Sequence, residues 1–309
     1  MNYISYEGPL LEMFEPPRDG CDVVIDMAAY YGIDAPFSIA YLLKNEALLH
    51  VKGFYPEPFS QPNVATTPGD GMIKSYYEIL RSLEVCGRSD MNKIVFRGSK
   101  YFLPNDRSIL RSEAVDHLAE LANHYDKDYP LYIIALGPLT NIASALMLNP
   151  DMKNRCVVVW QGGDSYDCPH INEPNIRFDT AAARYVLSSG VPMILFPYSG
   201  VVDHFSISKQ EIINHLVGRN GVLDELCERV LTFNLGCAYP YWTMELKGIP
   251  PIAWLVDHKR QFMKWGMRYA VLPGHGDSYE PNPSDQLLGY VYHIQKDKLM
   301  NDLIEKLTR

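Results

Sequence analysis

The chain has no run of apolar residues approaching the roughly 20 that a membrane-crossing helix needs. Its first residues carry Glu7, Glu12, Glu15 and prolines where a secretory leader would have a basic start and an apolar centre. A soluble, cytoplasmic protein is the expectation. Basic residues are also short: 28 Lys and Arg face 37 Asp and Glu, a formal net charge of −9. Partners that demand a basic face, nucleic acid and anionic membranes, are therefore not expected. The six cysteines, Cys21, Cys86, Cys156, Cys168, Cys227 and Cys237, include no C-x-x-C pair. Neither a zinc knuckle nor a disulfide framework is signalled, and buried reduced thiols are the simpler reading. No internal repeat or low-complexity linker divides the chain, so residues 1–309 read as one domain with residues 1–20 as an N-terminal extension.

What is there is a repeating strand-then-helix grammar. Val23 to Asp26 is an apolar run ending in an acid, and Ala35 to Leu43 follows with helical spacing. Strands are expected at His50 to Tyr55, Lys93 to Arg97, Leu131 to Leu136, Cys156 to Trp160, Val191 to Phe196, Tyr269 to Leu272 and Tyr290 to Ile294. Helices are expected at Met72 to Leu83, Ser112 to His124, Leu139 to Leu148, Thr180 to Ser188, Lys209 to Val217, Leu223 to Asn234, Ile249 to Val256 and Asp297 to Leu307. Pro56 to Gly71 is a long loop rich in turn formers, of the kind that serves a site or an interface. Alternation of this kind implies an α/β fold with a mainly parallel open sheet covered by helices on both faces. Ligands of such sheets sit beyond the carboxyl ends of the strands, so the loops after Asp26, Leu136 and Trp160 should converge.

Those loops hold Asp26 and Asp34, the turn Gly137-Pro138-Leu139-Thr140-Asn141, and a polar stretch containing Asp164, Asp167, His170, Glu173 and Asn175. Taken together, VVID-x7-D-x2-F-x-IAYLL, PGDGMIKSYYEIL, LYIIALGPLTNIASALML, VVVWQGG, EPNIRFDTAAARYVLSSGVP and IAWLVD resemble the inosine-uridine-type nucleoside hydrolase family, in the same order along the chain. LGPLTNIA and the E-x-N-x3-D-x-AA run are the most specific pieces. The resemblance implies cleavage of the N-glycosidic bond of ribonucleosides, a calcium ion at the carboxyl ends of the strands, and a dimer or tetramer.

Such cleavage passes through an oxocarbenium-like state, which requires held ribose hydroxyls, an activated water and a protonated leaving base. Calcium serves the first two tasks but needs several carboxylates to compete with hydration. The family supplies them from an N-terminal acid cluster, a threonine carbonyl and a late aspartate. Aligned on Asp26, this chain keeps Asp34 but has Ala28 and Ala35 at the two metal-binding acids, and Gly248, beside Lys247, at the late aspartate. Only the Thr140 carbonyl remains, so no calcium site and no other cofactor is expected. The resemblance leaves Asp34, Glu173 and Asn175 as ligand-binding candidates for a nucleoside or ribose-like molecule, with Asp26 and Asp34 as catalytic candidates.

All but Glu173 have a plainer role: Asp34 as a helix cap, Asn175 satisfying loop backbone, Asp26 organising its turn; Asp179 also reads as a helix cap. Pro174, where the family has an aromatic residue, could shift the Glu173–Asn175 pair through its fixed φ. Asp164, Asp167 and His170 are candidates for a replacement cluster, His275-Gly276-Asp277 for a turn, and Tyr30 and Tyr31 for filling the vacated volume. Two readings follow: a family member with a dismantled calcium site and weak or absent hydrolysis, or a working ribonucleoside N-glycosidase using replacement residues. A third, an oligomeric structural subunit, rests on the Pro56 to Gly71 loop and the Tyr-rich surface.

Overall fold

Val23, Ile25 and Met27 point to one side of the first strand and Val24 to the other, and all four are buried. A strand without a wet face belongs in the middle of a sheet covered twice. The computed structural model describes residues 14–233, 241–274 and 276–309. Its elements run β1 (Cys21–Met27), α1 (Ala35–Leu43), β2 (Leu49–Pro56), α2 (Pro68–Val85), α3 (Glu113–Leu121), β3 (Leu131–Leu136), α4 (Thr140–Leu148), β4 (Cys156–Gln161), α5 (Pro174–Phe178), α6 (Thr180–Val186) and β5 (Met193–Phe196). They continue with β6 (Ser206–Ser208), α7 (Lys209–His215), α8 (Gly221–Phe233), β7 (Thr243–Glu245), α9 (Ile249–Trp254), β8 (Met263–Tyr269), β9 (Leu287–Ile294) and α10 (Lys296–Thr308).

Seven strands form one sheet in the order β2-β1-β3-β4-β5-β9-β8, parallel throughout except for the antiparallel β8–β9 pair at the edge. One face, carrying Val23, Ile25, Ile134, Val157, Val159 and Phe196, packs against α1, α2, α8, α9 and α10. The other, carrying Val24, Ile133, Val158, Trp160 and Leu195, packs against α3, α4 and α6. This is the α/β architecture that the alternation implies. Every residue of α1 is buried, which explains its lack of a polar stripe. Pro250 and Pro251 sit in the first turn of α9, where their missing N–H groups cost nothing.

Two expected strands need correction. Lys93 to Arg97 is not a strand: Ser89–Ile94 is a 3-10 helix, and only Val95 makes an isolated parallel bridge, to Phe54. The strand expected at Tyr269 to Leu272 lies earlier, at Met263–Tyr269, because its pairing with β9 outweighs the polar Lys264 and Arg268 that hide it in the sequence. The end of the helix expected at Asn234 and the turn expected at His275 lie outside the described residues. No described helix is long and apolar enough to cross a membrane.

Candidate active site

The loops after β1, β3 and β4 do converge. A cavity of about 330 Å³ opens at the carboxyl ends of these strands, with Leu136 and Gln161 contributed by the ends of β3 and β4. Ala28, Ala35 and Gly248, expected from the sequence to stand where the family has acids, all line it. So do Asp34, from the loop after β1, and Glu173 and Asn175, from the cap and first turn of α5.

Asp34 stands at the N-cap position of α1 but makes no capping bond. Its Oδ2 instead accepts the Gly248 N–H at 3.2 Å, tying the first turn of α1 to the start of α9. Gly248 is confined there: a Cβ would lie 2.4 Å from Ser38 Oγ and 3.0 Å from a Leu136 methyl. The absence of a side chain at 248 thus lets α1 and α9 close together.

Glu173 is a helix cap as well as a lining residue. Its Oε2 accepts the Ile176 N–H of α5 at 3.1 Å and the Gly163 N–H at 2.9 Å. Gly163 holds φ at +69°, a conformation that glycine takes without strain, and this turn aims its N–H at Glu173. Burial pushes the Glu173 carboxyl up to about 7, against the pull of those N–H groups and of Lys247. Pro174 occupies the first turn of α5, where its missing N–H costs nothing. Asn175 donates from Nδ2 to the Gln161 carbonyl at 3.0 Å, so it satisfies loop backbone while facing the cavity.

Asp26 does not reach the cavity. It is fully buried behind it, with Oδ1 accepting from Asn141 Nδ2 at 2.9 Å. Beside it lies Glu57, equally buried, whose Oε1 accepts the Asn141 N–H at 3.0 Å. The remaining oxygens, Asp26 Oδ2 and Glu57 Oε2, have no other partner. Two such carboxyls are satisfied by one proton held between them. Burial raises both, Asp26 to about 7 and Glu57 well above its ordinary value, with the Asp26 charge adding to the second. Glu57 was invisible in the sequence, lying in a proline-rich loop without a motif around it.

Thr140 is fully buried, and its hydroxyl donates to Asp179 Oδ2 at 2.7 Å. Asp179 caps α6 through the Ala182 N–H at 2.9 Å, as its position implies, and also accepts the Leu103 N–H at 2.8 Å. Asp179→Ala therefore removes a cap and strands two donors, and should cost about 2–4 kcal/mol in urea unfolding with an unchanged m-value. Asp179→Asn should lose clearly less.

The Asp164–Asp167–His170 group does not assemble as a metal cluster. Asp164 is buried and accepts the N–H groups of Asn172 and Glu173 at 2.6 and 2.9 Å and the Ser199 hydroxyl, while Asp167 and His170 are exposed. Tyr31 lines the cavity and packs edge-on against Phe59 and Phe178, whereas Tyr30 points to solvent. Lys247 also lines the cavity, its ammonium 5.8 Å from the Tyr31 ring centroid. Gln161 adds an amide whose Nε2 is buried without a partner.

Calcium takes roughly six to eight oxygens, several of them carboxylate. Around this cavity an ammonium shares the space with Asp34, and no group of three or more His, Cys, Asp or Glu among the described residues could hold a metal. Asp34 and Glu173 are the only carboxylates among the described residues that line the cavity, fewer than calcium usually gathers.

The family described as inosine-uridine preferring nucleoside hydrolase matches residues 63–251, more than half of the sequence, and the chain belongs to it. That match begins after β1 and α1. The chain is 26% identical over 144 residues to the pyrimidine-specific ribonucleoside hydrolase RihB of Shigella flexneri, and over 137 residues to that of Escherichia coli. It spans less than half the length of these relatives, 45% and 42%. Among solved structures, a plant nucleoside hydrolase, PpNRh1, aligns with a TM-score of 0.69 at 19% identity, covering 93% of this chain and 99% of that one. A purine-preferring ribonucleoside hydrolase from Gardnerella vaginalis aligns with a TM-score of 0.69 at 16% identity, covering 93% and 98%. Both likenesses are of fold.

Proposed function

We propose that this chain binds a nucleoside or ribose-like ligand in the cavity at the mouth of β1 and has weak or no hydrolytic activity. The observation that carries the reading is that Ala28, Ala35 and Gly248 face one cavity together with Lys247. Without carboxylates at those positions the cavity offers a divalent ion no anionic cage, and water activation loses its metal. Asp34, Glu173 and Asn175 remain to meet sugar hydroxyls from two sides. Asp26, enclosed with Glu57, supports the floor and is not placed to take a proton from water. A homo-oligomer, dimer or tetramer, belongs to the same reading and is measurable by light scattering.

The test is direct. Protein equilibrated with calcium and desalted should retain far less than one ion per chain by elemental analysis. Release of nitrophenol from p-nitrophenyl riboside should stay near the uncatalysed rate. One calcium per chain with turnover would overturn the proposal and restore the enzyme reading.

A further inference from the structure

The cavity's charge is unusual for a site reduced by loss. Removing carboxylates alone would leave Asp34 and Glu173 facing each other through water. Instead an ammonium stands among them. Lys247 Nζ would lie 3.9 Å from a Cβ built on Gly32, and Asp34 Oδ1 2.6 Å from the same point, so cation and carboxylate flank one glycine at the cavity wall. No described carboxylate comes within ion-pairing distance of Lys247, whose ammonium lies instead toward the face of Tyr31. Its field is felt across the cavity, where it favours the charged forms of Glu173 and Tyr31. Gln161, 4% exposed, adds an N–H donor with no acceptor. An ammonium without a carboxylate and a buried amide without an acceptor offer hydrogen bonds that the oxygen atoms of a ligand can take over from water.

We infer that Lys247 supplies, as a tethered cation, the positive charge on which ligand hydroxyl oxygens rest, so that riboside binding is independent of divalent metal. The inference rests on the cavity being a riboside pocket. An ammonium fits this role because it donates up to three hydrogen bonds to hydroxyl or ring oxygens, as a metal accepts their lone pairs. It cannot replace the metal's other task, since it does not make hydroxide from water. The ligand class that satisfies Lys247, Gln161 and Asp34 together is a polyol presenting acceptor oxygens to the first two and a hydroxyl proton to the third.

Uridine and D-ribose, titrated calorimetrically into the protein in EDTA, are the probes. Wild-type protein should bind at least one of them, with the dissociation constant unchanged by added calcium. Lys247→Met should weaken binding about tenfold or more, the value of a charge-assisted hydrogen bond. Lys247→Arg should stay within about threefold. Binding in EDTA that is indifferent to Lys247→Met would overturn the inference and leave the riboside pocket standing. Binding that appears only with calcium would overturn the inference and the metal-free reading together. Binding of neither probe under either condition would sink the pocket itself. A measurement on the unsubstituted protein guards against a misfolded variant: saturating ligand should slow acetylation of Lys247, followed by mass spectrometry, and unchanged labelling counts against the contact.

Discussion

Glu57→Gln is expected to make the protein more stable at pH 8 than the unsubstituted chain and to flatten its dependence on pH between about 4 and 8. Asp26 and Glu57 lie fully buried beside one another, each with one oxygen engaged by Asn141 and the other without a further partner. Burial raises the Asp26 carboxyl from its ordinary 3.8 to about 7 and holds Glu57 well above the usual carboxylate range. A raised carboxyl pKa means that the folded state holds its proton more tightly than the unfolded chain does. The pair's contribution is therefore fully present below pH about 4, where both states are protonated, and is lost as pH rises toward about 7 and beyond. Asp26 alone accounts for roughly 2–4 kcal/mol across that interval, since each tenfold change in proton affinity is worth about 1.4 kcal/mol. Glutamine at 57 keeps the carbonyl that accepts the Asn141 N–H. It also directs a permanent N–H at Asp26 Oδ2, so the shared proton is replaced by one that cannot leave. Asp26→Asn makes the complementary substitution and should act alike. Urea unfolding at pH 5 and pH 8 measures the effect. A Glu57→Gln protein that keeps the slope of the unsubstituted chain, or is less stable at pH 8, would show that the two carboxyls do not share a proton.

The pair also marks the limit of what the sequence discloses. Local grammar is legible wherever burial and chain direction agree: α1 falls on Ala35–Leu43 and β3 on Leu131–Leu136, each bounded by its own punctuation. β8 is misplaced because an edge strand mixes Lys264, Gly266 and Arg268 with its apolar residues, and its identity comes from β9 rather than from itself. At the site, Asp34, Glu173 and Asn175 are picked out by the family resemblance, and the structure brings them to one cavity. Glu57 is not, since its role exists only once β1 and β2 lie side by side and Glu57 N–H reaches the Met27 carbonyl. The second role of Glu173, as cap of α5, was open to view in the Glu173-Pro174 step, where proline so often occupies the first helical position. Lys247 is visible in the sequence only as a charge beside Gly248; its direction into the cavity is decided by the packing of α9 on α1.

Ala28→Asp combined with Ala35→Asp and Lys247→Gln is expected to convert the cavity into one that binds calcium. Both alanines line the cavity on the side of Asp34, so the substitutions place three carboxylates around one space and remove the competing ammonium. Without metal those charges repel one another in a half-enclosed site, and the melting temperature in EDTA should fall below that of the unsubstituted protein. Calcium at about 100 times its dissociation constant should return about 2.7 kcal/mol, read as a rise of several degrees. Magnesium, which demands tighter octahedral geometry, should return less. Gly248 is deliberately left alone. An aspartate there would drive its Cβ to 2.4 Å from Ser38 Oγ and push α9 away from α1, so Gly248→Asp should destabilise the fold unless Ser38 is also reduced to glycine. The unsubstituted protein should show no calcium-dependent shift under the same conditions. If the triple variant also shows none while remaining folded, the cavity beside Asp34 is not where the family's missing carboxylates would meet. A shift of equal size in the unsubstituted chain would mean that other oxygens already hold the ion.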